Sequence, residues 1–159
     1  MGKTYVERLR EKFGTELLLI PGGRAVLEDE RSRVLLGKRT DLEIWSFPGG
    51  TVEVGQTIEE AVLREVEEEV GVRLRSFTPF GFASHPVHEV LEYPNGDRTH
   101  GFSLVVHSKD WEGEITGGDD ENSAWRWFEP EGLPETREAD RRTVARFLEW
   151  KKTGEFQLF

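Results

Sequence analysis

Three glutamates, Glu65, Glu68 and Glu69, stand at positions i, i+3 and i+4. On an α-helix, which turns by about 100° per residue, this spacing brings their carboxylates to one face. Three like charges so close together repel, so the arrangement calls for something that neutralises them. A hard divalent cation does this: Mg²⁺ or Mn²⁺ takes oxygen ligands and leaves coordination positions for phosphate and water. The chemistry this suggests is displacement at phosphorus, where charge on phosphate oxygens must be neutralised and a nucleophilic water produced. The plainer alternative is a solvated acidic helix face, the usual meaning of a charge run.

The elements that must position these acids are legible around them. Thr57 followed by Glu60 is a capping box, and Gly71 is a stop signal, so the spacing predicts a helix over Thr57 to Gly71. Ile58, Val62, Val66 and Val70 repeat every four residues and form its core face, about a quarter-turn from the acids. The turn-forming run Phe47-Pro48-Gly49-Gly50 leads into it. Upstream, Thr4 to Phe13 reads as a short capped helix, and Leu17 to Ile20 and Arg24 to Glu28 as strands interrupted by a turn or bulge at Pro21-Gly22-Gly23. Glu28 to Arg33 is turn-like, and Val34 to Arg39 resumes as the second arm of a hairpin. Downstream, Phe77 to Ser84, Val87 to Tyr93 and Gly101 to His107 read as strands, with a reverse turn at Pro94-Asn95-Gly96-Asp97. A Gly- and acid-rich loop spans Gly113 to Asp120. Ala124 to Glu129 then alternates, with Trp125 and Trp127 on one face and Arg126 on the other. Ala139 to Lys151 forms a last helix with Val144, Phe147 and Leu148 inward.

Composition bounds the rest. The chain has 159 residues, with 31 acids and 21 bases, for a formal net charge of −10. That length fits a single domain with a substantial core. The acidity argues against gripping nucleic-acid backbones or anionic lipid directly. Six of the ten net negative charges fall between Gly50 and Val72, where seven glutamates accompany one base, Arg64. There is no cysteine, hence no disulfide framework, thiolate metal site or cysteine nucleophile. The longest aliphatic run, Leu17 to Ile20, falls far short of the roughly 20 residues of a membrane span. Met1 to Phe13 has no apolar segment of the secretory type, so a cytoplasmic domain is expected. No P-loop, GxSxG elbow or dinucleotide fingerprint occurs.

The stretch from Gly50 to Val72 resembles the Nudix box, G-x5-E-x7-R-E-U-x-E-E-x-G-U, where U is a bulky aliphatic residue. Gly50, Arg64, Glu65, Val66, Glu68, Glu69, Gly71 and Val72 match in register. The flanks Leu35-Leu36-Gly37-Lys38-Arg39, Trp45-Ser46-Phe47-Pro48 and Trp125-Arg126-Trp127-Phe128 are similar to the family too, so the resemblance covers about Arg24 to Pro134. One position departs: Gln56 stands where the family has its first glutamate. That residue looks like a partner of the helix arginine, and Gln56 can accept the same bond from Arg64 without the charge that strengthens it.

The resemblance implies a Nudix-type α/β/α sandwich with a mixed β-sheet, in one domain over residues 1–159. Residues 1–23 would form an N-terminal helix and strand extension, and 135–159 a C-terminal helix. It implies hydrolysis of the phosphoanhydride bond in a nucleoside diphosphate linked to another moiety, with Mg²⁺ or Mn²⁺. Glu65, Glu68 and Glu69 would be metal ligands, with the Gly49 carbonyl nearby and Arg64 orienting the carboxylates. Glu65 or Glu121 would serve as general base, Glu121 lying close to the metal; a solvated loop acid is the alternative reading of Glu121. Arg39, with Gly50 and Gln56, falls on the substrate side, where Arg39 contacts phosphate or is simply a surface arginine. Within the family, cleavage of ADP-ribose or a nucleotide sugar is the alternative to nucleoside triphosphate hydrolysis. Pro86, 14 positions past Val72, resembles the proline that ADP-ribose-cleaving members carry near that distance. From a different class comes a weakly catalytic, nucleotide-binding module, the reading that Gln56 favours. The partner implied is a small nucleotide, with no nucleic-acid polymer and no membrane. A homodimer is compatible with apolar residues at the C-terminus, Phe156, Leu158 and Phe159. Trp45, Phe80 and Phe82 are candidates to stack on a base. The pair His85 and His88 lacks metal-site spacing and suits a loop or pocket role.

Overall fold

The computed structural model of the chain describes residues 2–159. Helix α1 (Tyr5–Phe13) opens on a full capping box between Thr4 and Glu7. Strand β1 (Leu17–Leu27) runs unbroken through Pro21-Gly22-Gly23, where the sequence suggested a turn or bulge. Its eleven residues lie parallel to β7 (Arg98–Glu112), from Leu17 beside Arg98 to Leu27 beside Ser108. The two glycines serve close approach instead of chain reversal. A Cβ on Gly22 would lie 2.7 Å from the Gly50 carbonyl oxygen, and one on Gly23 2.0 Å from Val62 Cγ2.

The strands divide between two sheets. β4 (Gly49–Thr51), β1, β7, β5 (Arg73–Ala83) and β9 (Gln157–Leu158) form the larger in that order, and β6 (Val90–Glu92) pairs with β7. β3 (Trp45–Ser46), β2 (Val34–Arg39) and β8 (Asn122–Phe128) form the smaller. β1 and β2 are joined by the expected turn, yet they share only the bridge between Glu28 and Val34 before β2 enters the second sheet. The expected hairpin is therefore a corner between sheets. Of the expected strand Val87 to Tyr93, only β6 is extended; residues 85–89 turn, with the Glu89 N–H donating to the His85 carbonyl.

Alternation along the strands builds two apolar layers. Ala25, Leu27, Leu35 and Val106 pack with Val62, Val66 and Val70 of α2 (Ile58–Val70). Val26, Val34, Leu36 and Val105 face the opposite way, onto Val144 and Phe147 of α3 (Glu138–Thr153). The result is an α/β/α sandwich with a mixed sheet, as expected. Phe80, a candidate for base stacking, is instead fully buried beneath Trp150 and Phe147. Phe159 is corrected as well: its ring sits in the α3-side core, leaving Phe156 and Leu158 as the exposed apolar residues of that terminus. No helix among the described residues is long and apolar enough to cross a membrane.

A buried charge lies beside the last turn of α3. The Glu28 carboxylate is almost wholly covered and meets His107 Nε2 at 2.7 Å, Lys109 Nζ at 3.6 Å and Lys151 Nζ. Burial works against its ionised form, but the bonds from Lys151 and His107 hold its pKa below the ordinary 4.5. Burial also lowers the His107 pKa below 6.5, so this imidazole stays neutral and donates from Nε2. Both groups lose stability in acid. The folded state resists protonating His107 once pH drops below about 6.5, and Glu28 loses its bonds as pH falls through its lowered pKa. The melting temperature is expected to fall from pH 7 to pH 4. His107→Gln, which keeps a donor toward Glu28, should lessen the part of the fall that sets in below about pH 6.5. Thermal melts of both proteins across this range check it, and identical profiles would count against the assignment.

Candidate active site

The acidic helix forms as its local signals require. Thr57 Oγ1 accepts the Glu60 N–H at 3.1 Å, the Glu60 carboxylate accepts the Thr57 N–H at 2.8 Å, and Gly71 closes the helix in the left-handed conformation. The valine row is buried against the sheet, which turns the acids toward the Gly49–Thr51 strand and the loop before β8.

The three carboxylates share a helix face but meet different partners. Arg64 Nη2 lies 2.9 Å from Glu65 Oε1, which is largely covered, and Arg64 Nη1 lies 2.8 Å from Glu68 Oε2, which is exposed. Glu69, the innermost and nearly buried, accepts the Gly49 N–H at 2.9 Å through Oε2, and Asn122 Nδ2 at 3.5 Å through Oε1. Among the described residues no three His, Asp or Glu side chains converge as a ready cation cage. The expected convergence is therefore one of charge and neighbourhood, with the side chains divided between Arg64 and the Gly49 turn.

The electrostatics register that neighbourhood. Burial pushes Glu69 up to about 8; the Gly49 N–H offsets part of this, and the charges of Glu65, Glu121 and Asp119 add to it. Burial likewise raises Glu65, with Arg64 pulling it down and Glu68 and Glu121 pushing it up. Glu121 thus lies close enough to act on both inner carboxylates. Its loop is pinned: Asp119 Oδ1 accepts the N–H groups of Glu121 and Asn122 at 2.9 and 2.6 Å, and the Glu121 carbonyl accepts the Thr40 N–H at 2.9 Å.

Two glycines make the site sterically. Gly49 has φ of +151°, and a Cβ there would fall 2.2 Å from the Gly23 carbonyl oxygen. A Cβ on Gly50 would fall 2.3 Å from Glu65 Oε1, so this glycine is the space the carboxylate occupies. The group Gly49 shows toward Glu69 is its N–H. Gln56 does not pair with Arg64. Its Oε1 accepts the Glu53 N–H at 3.1 Å and closes the turn ahead of the helix, while Arg64 donates to the Thr51 carbonyl at 3.0 Å and its buried Nε has no partner. Arg39 is held by Asp41 through two bonds of 2.8 and 2.6 Å and lies over the Tyr93 ring, so a phosphate there competes with Asp41.

Asn122 has no role in the sequence reading, and Trp125 is read there only as one face of an alternating strand. Trp125 Nε1 donates to the Glu69 carbonyl at 3.1 Å, and a Cβ on Gly37 would lie 2.7 Å from both Asn122 Oδ1 and the Trp125 ring. The signal was Gly37 between the apolar and basic residues of its strand, a mark of close approach.

Strand β4, the acidic helix α2 and the loop before β8 thus gather carboxylates beside Gly49 and Gly50 on an α/β/α sandwich. The NUDIX domain profile matches residues 19–150, and the chain belongs to the Nudix family, in class a pyrophosphohydrolase. An ADP-ribose pyrophosphatase of Methanocaldococcus jannaschii is 31% identical over 157 residues, covering 94% of this chain and 88% of the relative. An 8-oxo-dGTP diphosphatase of Escherichia coli is 42% identical over 81 residues, or 50% of this chain and 54% of the relative. Among solved structures, a MutT Nudix hydrolase from Burkholderia pseudomallei superposes with a TM-score of 0.68 at 28% identity, covering 80% of this chain and 97% of the other.

Proposed function

We propose that the protein hydrolyses the phosphoanhydride bond of a nucleoside diphosphate derivative with Mg²⁺ or Mn²⁺. The observation that carries this reading is the placement of Glu65 and Glu69 against β4: Glu65 fills the space above Gly50, Glu69 accepts the Gly49 N–H, and burial raises both carboxylates in pKa. The donor set is all hard oxygen and fits such a cation. Glu65, Glu68 and Glu69 would hold it, with Glu121 and the Gly49 carbonyl adjoining. When bound, the cation supplies charge neutralisation on phosphate oxygens and lowers the pKa of a water. Glu65, oriented by Arg64 at 2.9 Å, is the first candidate for base: it would take the proton as water oxygen bonds to phosphorus and the bridging P–O bond breaks. Glu121 is the competing base. Arg64 holds Glu65 and Glu68 in place, and Arg39 meets phosphate once Asp41 yields it.

The M. jannaschii relative favours ADP-ribose or a nucleotide sugar as a second reading of the substrate. Gln56, turned to Glu53 and away from Arg64, favours a binding module of little turnover. A panel of nucleoside triphosphates (8-oxo-dGTP included), ADP-ribose and UDP-sugars, each with Mg²⁺, Mn²⁺ or EDTA, separates these readings. Metal-dependent release of nucleoside monophosphate is expected, with pyrophosphate from triphosphates or sugar phosphate from the others. Tight nucleotide binding by calorimetry without turnover of any substrate would replace the enzyme reading with the binding one.

A further inference from the structure

Behind the Gly49 turn lies a buried polar cluster that hydrolysis, as described, leaves unused. Arg24, on the α3 side of β1, meets Glu89 at 2.7 and 3.4 Å through both terminal nitrogens and donates to Thr143 Oγ1 of α3 at 2.6 Å. Asp140, one turn earlier on α3 and without solvent exposure, pairs with Arg137 at 3.2 Å and accepts the Phe47 N–H at 3.4 Å. Buried ion pairs contribute little net stability compared with apolar side chains of the same volume, so stability alone is a poor reason for this cluster.

Its contacts supply a better one. Arg24 is the register partner of Gly49, and a Cβ on Gly49 would sit 2.9 Å from Arg24 Cα. The neighbouring Ala25 N–H holds the Pro48 carbonyl at 2.9 Å, and Asp140 holds Phe47. Phe47 is thus held by a side chain of the cluster, and Pro48 and Gly49 by the β1 backbone that carries Arg24. The Gly49 N–H in turn holds Glu69.

We propose that Arg24 and Asp140 are positioning residues for hydrolysis. With Glu89 they fix the Phe47–Gly49 turn from behind, and through the Gly49 N–H they set where the Glu69 carboxylate sits. This rests on the reading of Glu69 as part of the catalytic site. Glu89 extends the link to residues 84–89, tying that loop to the same turn. Because the cluster acts on orientation, its loss falls on kcat more than on KM.

Asp140→Asn, Arg24→Met and Arg24→Lys test the proposal by two readouts: kcat and KM with Mg²⁺, and NMR hydrogen exchange of the Gly49 amide in EDTA. Asp140→Asn and Arg24→Met are expected to lower kcat about 10-fold or more with KM nearly unchanged, since a misplacement near 1 Å is worth as much as 10²-fold. The Gly49 amide should exchange faster while the Val66 amide in α2 does not, and Arg24→Lys should recover part of both. If Arg24→Met does not fold, Glu89→Gln, which keeps the shape and removes the charge, carries the same expectation. A Gly49 amide as protected in the folded variants as in the wild type overturns the proposal. So does a raised KM at unchanged kcat, which would make Arg24 a substrate contact. If the wild type turns over nothing in the panel, the hydrolase reading fails, while Gly49 exchange still decides the positioning role.

Discussion

Glu69→Gln is expected to lower hydrolysis by about 10²-fold or more and, in the absence of metal, to raise the melting temperature. The loss is on the scale of removing one preorganised electrostatic group from a reaction centre. The gain follows from the same carboxylate. Glu69 titrates near 8 in the folded chain because it is buried among Glu65, Glu121 and Asp119, against an ordinary 4.5. With the folded pKa raised, its favourable contribution is fully present below about 4.5 and is lost as pH rises through about 8. Glutamine carries no charge to lose. In EDTA the two proteins should therefore melt together near pH 4.5 and separate as pH rises, the variant standing about 3 °C or more higher by pH 8 to 9. Mg²⁺ should stabilise the wild type more than the variant. Such a trade of stability for activity is what a site of crowded like charges entails. A variant as active as the wild type would remove Glu69 from the site, and coincident melting curves would mean that its ionisation carries no cost.

Gly23→Ala is expected to be among the most damaging substitutions outside the acidic helix. The added methyl would fall 2.0 Å from Val62 Cγ2, on a fully buried, β-branched side chain that has little rotamer freedom with which to retreat. Overpacking of this kind costs about 1–3 kcal/mol, or roughly 2–12 °C in a chain of this size. It also acts on function, because α2 must move off the sheet to make room, and Glu65 and Glu69 move with it. Val62→Ala removes the obstructing atom. In the double variant the two losses should be much less than additive, and the double-variant melting curve measures this. Strictly additive losses would show that Gly23 and Val62 are not packed as described.

How much of this was legible beforehand differs by element. The acidic helix was readable because its determinants are local: a capping box at Thr57 and Glu60, valines every four residues, and a terminal glycine. The alternation of Trp125 and Trp127 against Arg126 was equally local, and the two tryptophans pack on the α2 side while Arg126 lies over Trp45. Pro21-Gly22-Gly23 misled because a glycine pair has two physical uses, chain reversal and close packing. Which use applies depends on what lies opposite, here Gly50 and Val62. Phe80 and Phe159 are aromatic in any reading; only packing shows that both belong to the core.

The sequence by itself determined the identity and order of the acidic groups, the helix that carries them and the family to which the chain belongs. All of these are properties of residue type and short-range spacing. Tertiary structure alone decided how the acids differ from one another. Glu68 stays at the surface with Arg64, Glu65 fills the space above Gly50, and Glu69 is drawn inward to the Gly49 N–H. It also set Gln56 apart from Arg64 and brought Asp119, Glu121 and Asn122 to the helix from some fifty residues away. The physical reason is that desolvation and Coulomb interaction depend on distance through space, which the fold sets, and three glutamates with the same local pattern acquire different chemistry only once that distance exists.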